Sequence, residues 1–191
     1  MGEIMSTVLA VDISGIPRRW ISFEDAILYH AKDGVAWSLG DVVARFHGGF
    51  KRNGEQSYLE TPSIIAIKGH GFDPSRHTKV ALTNRTLFAR DRHICAYCGS
   101  YHQNSKHLSR EHIQPVSRGG ANTWMNVVTA CHPCNHKKSD KTPKEANMEL
   151  LYVPYAPTHA ENMILQNRNI LADQMDYLVS MVPKHSRVLQ S

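Results

Sequence analysis

This sequence has no apolar run near the roughly 20 residues that a membrane-spanning helix needs. A membrane protein of helical type is therefore not expected. It has no internal repeat and no low-complexity segment, so repeat arrays and disordered tracts are set aside. The first residues, MGEIMSTVLAVDISG, lack a basic start and a small-residue cleavage site. No signal peptide is read there, and the expected location is the cytoplasm. Cysteine is scarce: among 191 residues only Cys95, Cys98, Cys131 and Cys134 occur. In a chain read without an export signal, disulfides are not expected.

What is present reads as a globular chain, with 41% hydrophobic residues and length enough for one large domain or two small ones. The formal net charge of +5 conceals a gradient. Residues 79–144 hold 11 Lys and Arg against 3 acids, a net of +8, while the segments before and after come to −1 and −2. A basic segment of this kind suits a polyanion, or is simply a solvated face.

The four cysteines form two C-x-x-C pairs with 32 residues between them. One pair alone is ambiguous between metal and redox chemistry. Two pairs fit a four-thiolate zinc site much better. The long gap implies that something else is folded between the pairs. A dithiol redox protein would need one pair only, at a helix start after a buried strand, whereas polar loop text follows Cys98.

Three regions are expected. Residues 1–80 read as a mixed α/β leader. TVLAVDI, VAWSL and SIIAIK read as strands, HGGFKRNG and GHGFDPSRH as loops, and SFEDAILYHAKDG as a helix capped by Ser22. In residues 81–150, TNRTLFARDRH predicts a short helix, KHLSREHI a strand ended by Pro115, QPVSRGGANT a loop, and NVVTA a strand. HPCNHKKSD predicts two helical turns, and TPKEANMEL a helix opened by a Thr142–Glu145 capping box. Residues 151–191 predict one long amphipathic helix in which Ile164, Leu171 and Leu178 recur every seven positions. It serves either internal packing or a dimer seam, so the protein is expected as monomer or homodimer.

Between the cysteines stand Glu111 and His112 at a strand end, Asn126 before the next strand, and Asn135 in the terminal helix. RDRHICAYCG, EHIQPVSRGG, NTWMNVVTACHPCNHKK and SDKTPKEANMEL together resemble the HNH endonucleases, in the subgroup whose ββα-metal unit is braced by a four-cysteine zinc. The resemblance implies an α+β protein whose HNH unit is preceded by the leader and followed by the C-terminal helix. It implies His112 as general base, Asn126 as the residue steadying the loop that carries it, and Glu111 and Asn135 as ligands of a catalytic divalent ion. Zinc on Cys95, Cys98, Cys131 and Cys134 would be structural. Hard oxygen donors at Glu111 and Asn135 suit Mg²⁺ or Mn²⁺. DNA is the implied partner, with RNA not excluded, and Arg118, Lys137 and Lys138 are expected on the phosphate backbone. The rival reading is a zinc-knuckle nucleic-acid-binding protein without catalysis; it gives no reason for Glu111, His112, Asn126 and Asn135 to occur in register. His132 and His136 are expected at the surface or facing phosphate, because four thiolates already complete a tetrahedral zinc site.

Overall fold

A computed structural model describes residues 7–69, 79–167 and 169–189. They form two compact units: one combines the N-terminal 78 residues with those from His159 onward, and the other runs from Lys79 to Thr158. The expected loop GHGFDPSRH lies almost wholly outside the described residues.

The first unit is built on a four-stranded sheet in the order β2-β1-β4-β3. Its strands are β1 (Val8–Val11), β2 (Pro17–Ile21), β3 (Val35–Phe50) and β4 (Gln56–Ile67). β1 lies antiparallel to β2 and parallel to β4, and β4 is antiparallel to β3. The apolar runs VLAV and IIAI have no polar alternation because both faces of these strands are covered. On one face Val8, Ala10, Ile21 and Ile65 pack with Ala26 of helix α1 (Phe23–Ala31). Ser22 caps that helix, its hydroxyl accepting from the Asp25 N–H at 3.1 Å. On the other face Leu9, Val11, Ile64 and Ala66 pack with Met163 and Leu178. Strands β3 and β4 run further than expected. His47–Phe50 of the expected loop HGGFKRNG belong to β3, because Gln56 and Ser57 side chains reach across to the Gly48 and Gly49 carbonyls at 3.1 and 2.8 Å. The turn falls at residues 51–55.

The tail differs from the single long helix of the heptad pattern. Two helices form, α4 (His159–Gln166) and α5 (Ala172–Val179). Side chains divert the chain between them. Asn167 Oδ1 accepts from the Asn169 N–H at 3.0 Å, and Gln174 Oε1 accepts from the Leu171 N–H at 3.1 Å. Both residues are also tied to Thr7, just before β1, Asn167 through the Thr7 hydroxyl and Gln174 through the Thr7 carbonyl. From His159 onward the tail completes the first unit's core.

The second unit holds α2 (Asn84–Arg90), the antiparallel pair β5 (Leu108–His112) and β6 (Val127–Cys131), and α3 (His132–Lys138). Thr83 and Thr86 cap α2 reciprocally. Leu87, Phe88, Leu108 and Val127 form its core, with Leu82 and Trp124 against them. The expected helix TPKEANMEL makes one turn only. The Thr142–Glu145 box forms, but Asn147 turns left-handed at φ 51° and Met148 N–H returns to the Pro143 carbonyl, which closes the turn. No helix among the described residues is long and apolar enough to cross a membrane.

Candidate metal centre and active site

The four cysteines meet. Their sulfurs all lie within 4.8 Å of one another, with Cys95 and Cys131 buried. The first pair sits on a tight knuckle in which Cys95 N–H bonds the Ser100 carbonyl and Gly99 N–H bonds the Cys95 carbonyl, both at 3.0 Å. The second pair brackets the start of α3, with Cys131 as its N-terminal cap residue. Ala96 N–H to the Thr129 carbonyl, at 2.8 Å, fastens the knuckle to β6. Four sulfurs about 2.3 Å from a tetrahedral zinc stand about 3.8 Å apart. The Cys98 and Cys131 sulfurs are 3.9 Å apart. The arrangement is therefore compatible with zinc. Burial disfavours the Cys98 thiolate, but hydrogen bonds from Ser100 and then from Cys95 and Cys134 outweigh it and bring the thiol down to about 6, whereas burial raises Cys131 and Cys134. His132 is exposed and its Nε2 lies 2.8 Å from the Lys106 carbonyl, outside the sulfur cluster. His136 is exposed.

Between the pairs, β5, β6 and α3 make a ββα unit. In the β5–β6 register Glu111 faces Val128 and His112 faces Val127. Alternation along β5 turns Ser109 and Glu111 to one side and Leu108, Arg110 and His112 to the other. Helix α3 packs on the Ser109 and Glu111 side through two bonds. Asn135 Nδ2 donates to Ser109 Oγ at 2.8 Å, and Lys138 Nζ stands 2.5 Å from Glu111 Oε1. Positions 135 and 138 are one helical turn apart and positions 109 and 111 share a strand face, so the two contacts run side by side. Asn135 and Glu111 are thereby held on the same flank of the unit.

His112 ends β5, half-buried, and among the described residues its buried Nε2 has no hydrogen-bond partner. The loop that follows is held by Asn126. Its Oδ1 accepts from the Gln114 N–H at 2.9 Å, and its Nδ2 donates to the Gln114 and Ala121 carbonyls at 3.1 and 2.9 Å. Ile113 N–H bonds the Asn126 carbonyl at 2.9 Å. The two glycines of the loop are sterically required. Gly119 has φ 80°, and a Cβ on Gly120 would stand 1.8 Å from the Gln114 carbonyl oxygen.

The basic residues separate. Lys137 is exposed. Arg118 is partly exposed and paired with Glu145 through Nη1, at 2.7 and 2.8 Å to its two carboxylate oxygens. Lys138, expected on the phosphate backbone, is corrected: it is 0% exposed, and its ammonium is taken by Glu111. Its position at i+3 from Asn135 puts it on the face that α3 turns to β5.

Two groups escape the sequence reading. Arg90 and Asp91 form a buried ion pair at 2.8 Å. The guanidinium also donates to the Trp124, Val127 and Tyr155 carbonyls, and Asp91 accepts from the Thr129 N–H. This pair ties the first half of β6, and Trp124 before it, to the end of α2, and so braces the chain on either side of Asn126. Adjacent opposite charges in RDRH look solvated in a sequence; nothing in it shows the ring of carbonyls. Ser109 is the other, a strand serine with no motif around it. Tyr97 lies beside the centre as well: burial, and then the Glu111 charge, push its phenol well above the usual range.

Residues 95–151 match the family model described as HNH endonuclease. No curated protein matches the chain. The matched segment contains all four cysteines, His112, Asn126 and Asn135, and it carries the ββα unit whole.

Proposed function

We propose that this HNH segment is a metal-dependent endonuclease that hydrolyses phosphodiester bonds in DNA. The observation that carries the reading is the docking of α3 on β5. It stands an amide and a carboxylate, Asn135 and Glu111, on one flank of a strand that ends in an imidazole whose Nε2 has no partner among the described residues.

His112 is the general base. A neutral imidazole takes a proton from water near neutral pH, and the partnerless Nε2 suits a group whose partner arrives with the substrate. Asn126 fixes the backbone immediately after His112 and so holds the imidazole in place. Glu111 and Asn135 offer oxygen donors that fit a hard divalent ion, Mg²⁺ or Mn²⁺. Such an ion, when bound, neutralises charge on the phosphate and on the leaving oxygen. The four thiolates would hold zinc for structure, and Arg118 and Lys137 would meet the phosphate backbone.

The test is supercoiled plasmid with and without Mg²⁺. Wild-type protein should cut only with the ion. His112→Ala should fail to cut while keeping zinc content and DNA affinity. A His112→Ala protein cutting at the wild-type rate would remove His112 from the role of base.

A further inference from the structure

We infer that Ser109 is a positioning residue that decides which atom of the Asn135 amide faces the divalent ion. The inference rests on the reading of Asn135 as an ion ligand and says how the chain makes it one.

The argument is a count of donors and acceptors. The Ser109 hydroxyl lies 3.1 Å from the Ala130 carbonyl, across the β5–β6 pair. A carbonyl only accepts, so this contact uses the hydroxyl's single proton. Toward Asn135 the hydroxyl then has lone pairs only. It can accept from the Asn135 NH₂ group, and it does so at 2.8 Å. If the amide were turned over, Oδ1 would face Ser109 Oγ. The hydroxyl would have to give its proton to Oδ1 and abandon the Ala130 carbonyl. One arrangement makes two hydrogen bonds and the other makes one, so the first wins.

The consequence falls on the other end of the amide. With Nδ2 held by Ser109, Oδ1 is left as the free end of the amide, and among the described residues it makes no hydrogen bond. A cation is attracted by the carbonyl oxygen of an amide and repelled by its NH₂ group. The Ala130–Ser109–Asn135 chain therefore presents the attractive atom before any ion arrives. Ser109 shares a strand face with Glu111, so the same two residues of β5 set both oxygen donors of the site. Asn135 without Ser109 would sample both amide orientations, and part of the population would face the ion with the wrong atom.

The experiment measures Mn²⁺ binding by titration calorimetry on zinc-loaded, full-length protein, for wild type, Ser109→Ala, Ser109→Thr and Asn135→Ala. Zinc content and thermal melting confirm that each variant is folded. Ser109→Ala should weaken Mn²⁺ by about tenfold, while Ser109→Thr, which keeps the hydroxyl, should stay within about twofold of wild type. Ser109→Ala combined with Asn135→Ala should bind no worse than Asn135→Ala alone. If Ser109→Ala binds Mn²⁺ like wild type while Asn135→Ala is weakened, the positioning role falls and Asn135 stands as a ligand. If Asn135→Ala itself binds like wild type, the ligand reading falls and takes the positioning role with it.

Discussion

The Lys138 ammonium lies 2.5 Å from Glu111 Oε1, with the lysine 0% and the glutamate 5% exposed. The pair joins the last residue of α3 to the penultimate residue of β5. A lysine here neutralises a carboxylate that would otherwise be buried alone. Removing one partner of such a pair costs about 3–5 kcal/mol, because the other charge is left uncompensated. Lys138→Met should therefore destabilise the protein on that scale in denaturant unfolding. Lys138→Met with Glu111→Gln should recover a large part of the loss. A double variant no more stable than Lys138→Met would show that the lysine's packing matters and its charge does not.

Zinc is the second expectation. Four sulfurs within 4.8 Å, two of them buried, lose their reason to converge when no ion holds them. Purified protein should carry about one tightly held zinc per chain, and a chelator should unfold residues 79–158, since structural zinc contributes directly to folding. Cys95→Ser should do the same. Folded, soluble wild-type protein without zinc would overturn the assignment.

The sulfur cluster and the ββα frame were legible in the sequence because their signals are local. Paired C-x-x-C spacing marks the sulfur cluster, and strand and loop text around Glu111, His112 and Asn126 marks β5 and the turn after it. Side-chain direction was not legible. Lys138 sits in a run of basic residues, and only the docking of α3 shows that it points inward. Arg90 and Asp91 look like surface charges until the carbonyls of Trp124, Val127 and Tyr155 surround the guanidinium. The tail failed for a related reason. Its heptads report burial correctly at Leu178, but the pattern says nothing of Asn167 and Gln174 bonding Thr7, which break the helix in two.

Asn126 makes three side-chain hydrogen bonds to the backbone of its own loop. Asn126→Ala leaves the Gln114 N–H and two carbonyls without those partners. Stability should fall by about 1–3 kcal/mol. Amide exchange at Gln114 should quicken, and cleavage should slow through kcat with substrate affinity little changed. Unchanged exchange at Gln114 would mean that the loop holds itself without Asn126.

Arg118 and Glu145 carry a pH and a salt signature. The Thr142 backbone N–H, then the Arg118 guanidinium, bring the Glu145 carboxyl down to about 2 from its ordinary 4.5. A lowered folded-state value stabilises above the unfolded value, and that gain is lost as pH falls from about 4.5 through about 2. Wild type should lose more stability over that window than Glu145→Gln. If Arg118 also reaches phosphate, Arg118→Ala should reduce the salt slope of DNA binding by about 0.9, and Glu145→Gln should tighten binding by freeing the guanidinium. An unchanged slope in Arg118→Ala would confine the ion pair to bracing the turn. Lys138→Ala should leave the slope as it is.

The tail helices give the last expectation. Leu178 is 0% exposed and Met163 2%, and both pack on Leu9, Val11, Ile64 and Ala66 of the sheet. Of the heptad series, Leu178 is fully covered, while Ile164 and Leu171 are half-buried. A residue covered by its own sheet has little surface left for a second chain. Leu178→Ala should thus cost about 2–5 kcal/mol, the scale for emptying a large apolar site in a core. Its sedimentation should match that of wild type, whatever the wild-type assembly is. Leu171→Lys, at a half-buried position, should cost less than Leu178→Ala and likewise leave sedimentation unchanged. A wild-type dimer that Leu171→Lys converts to a monomer, with unfolding stability intact, would instead place a seam on this helix.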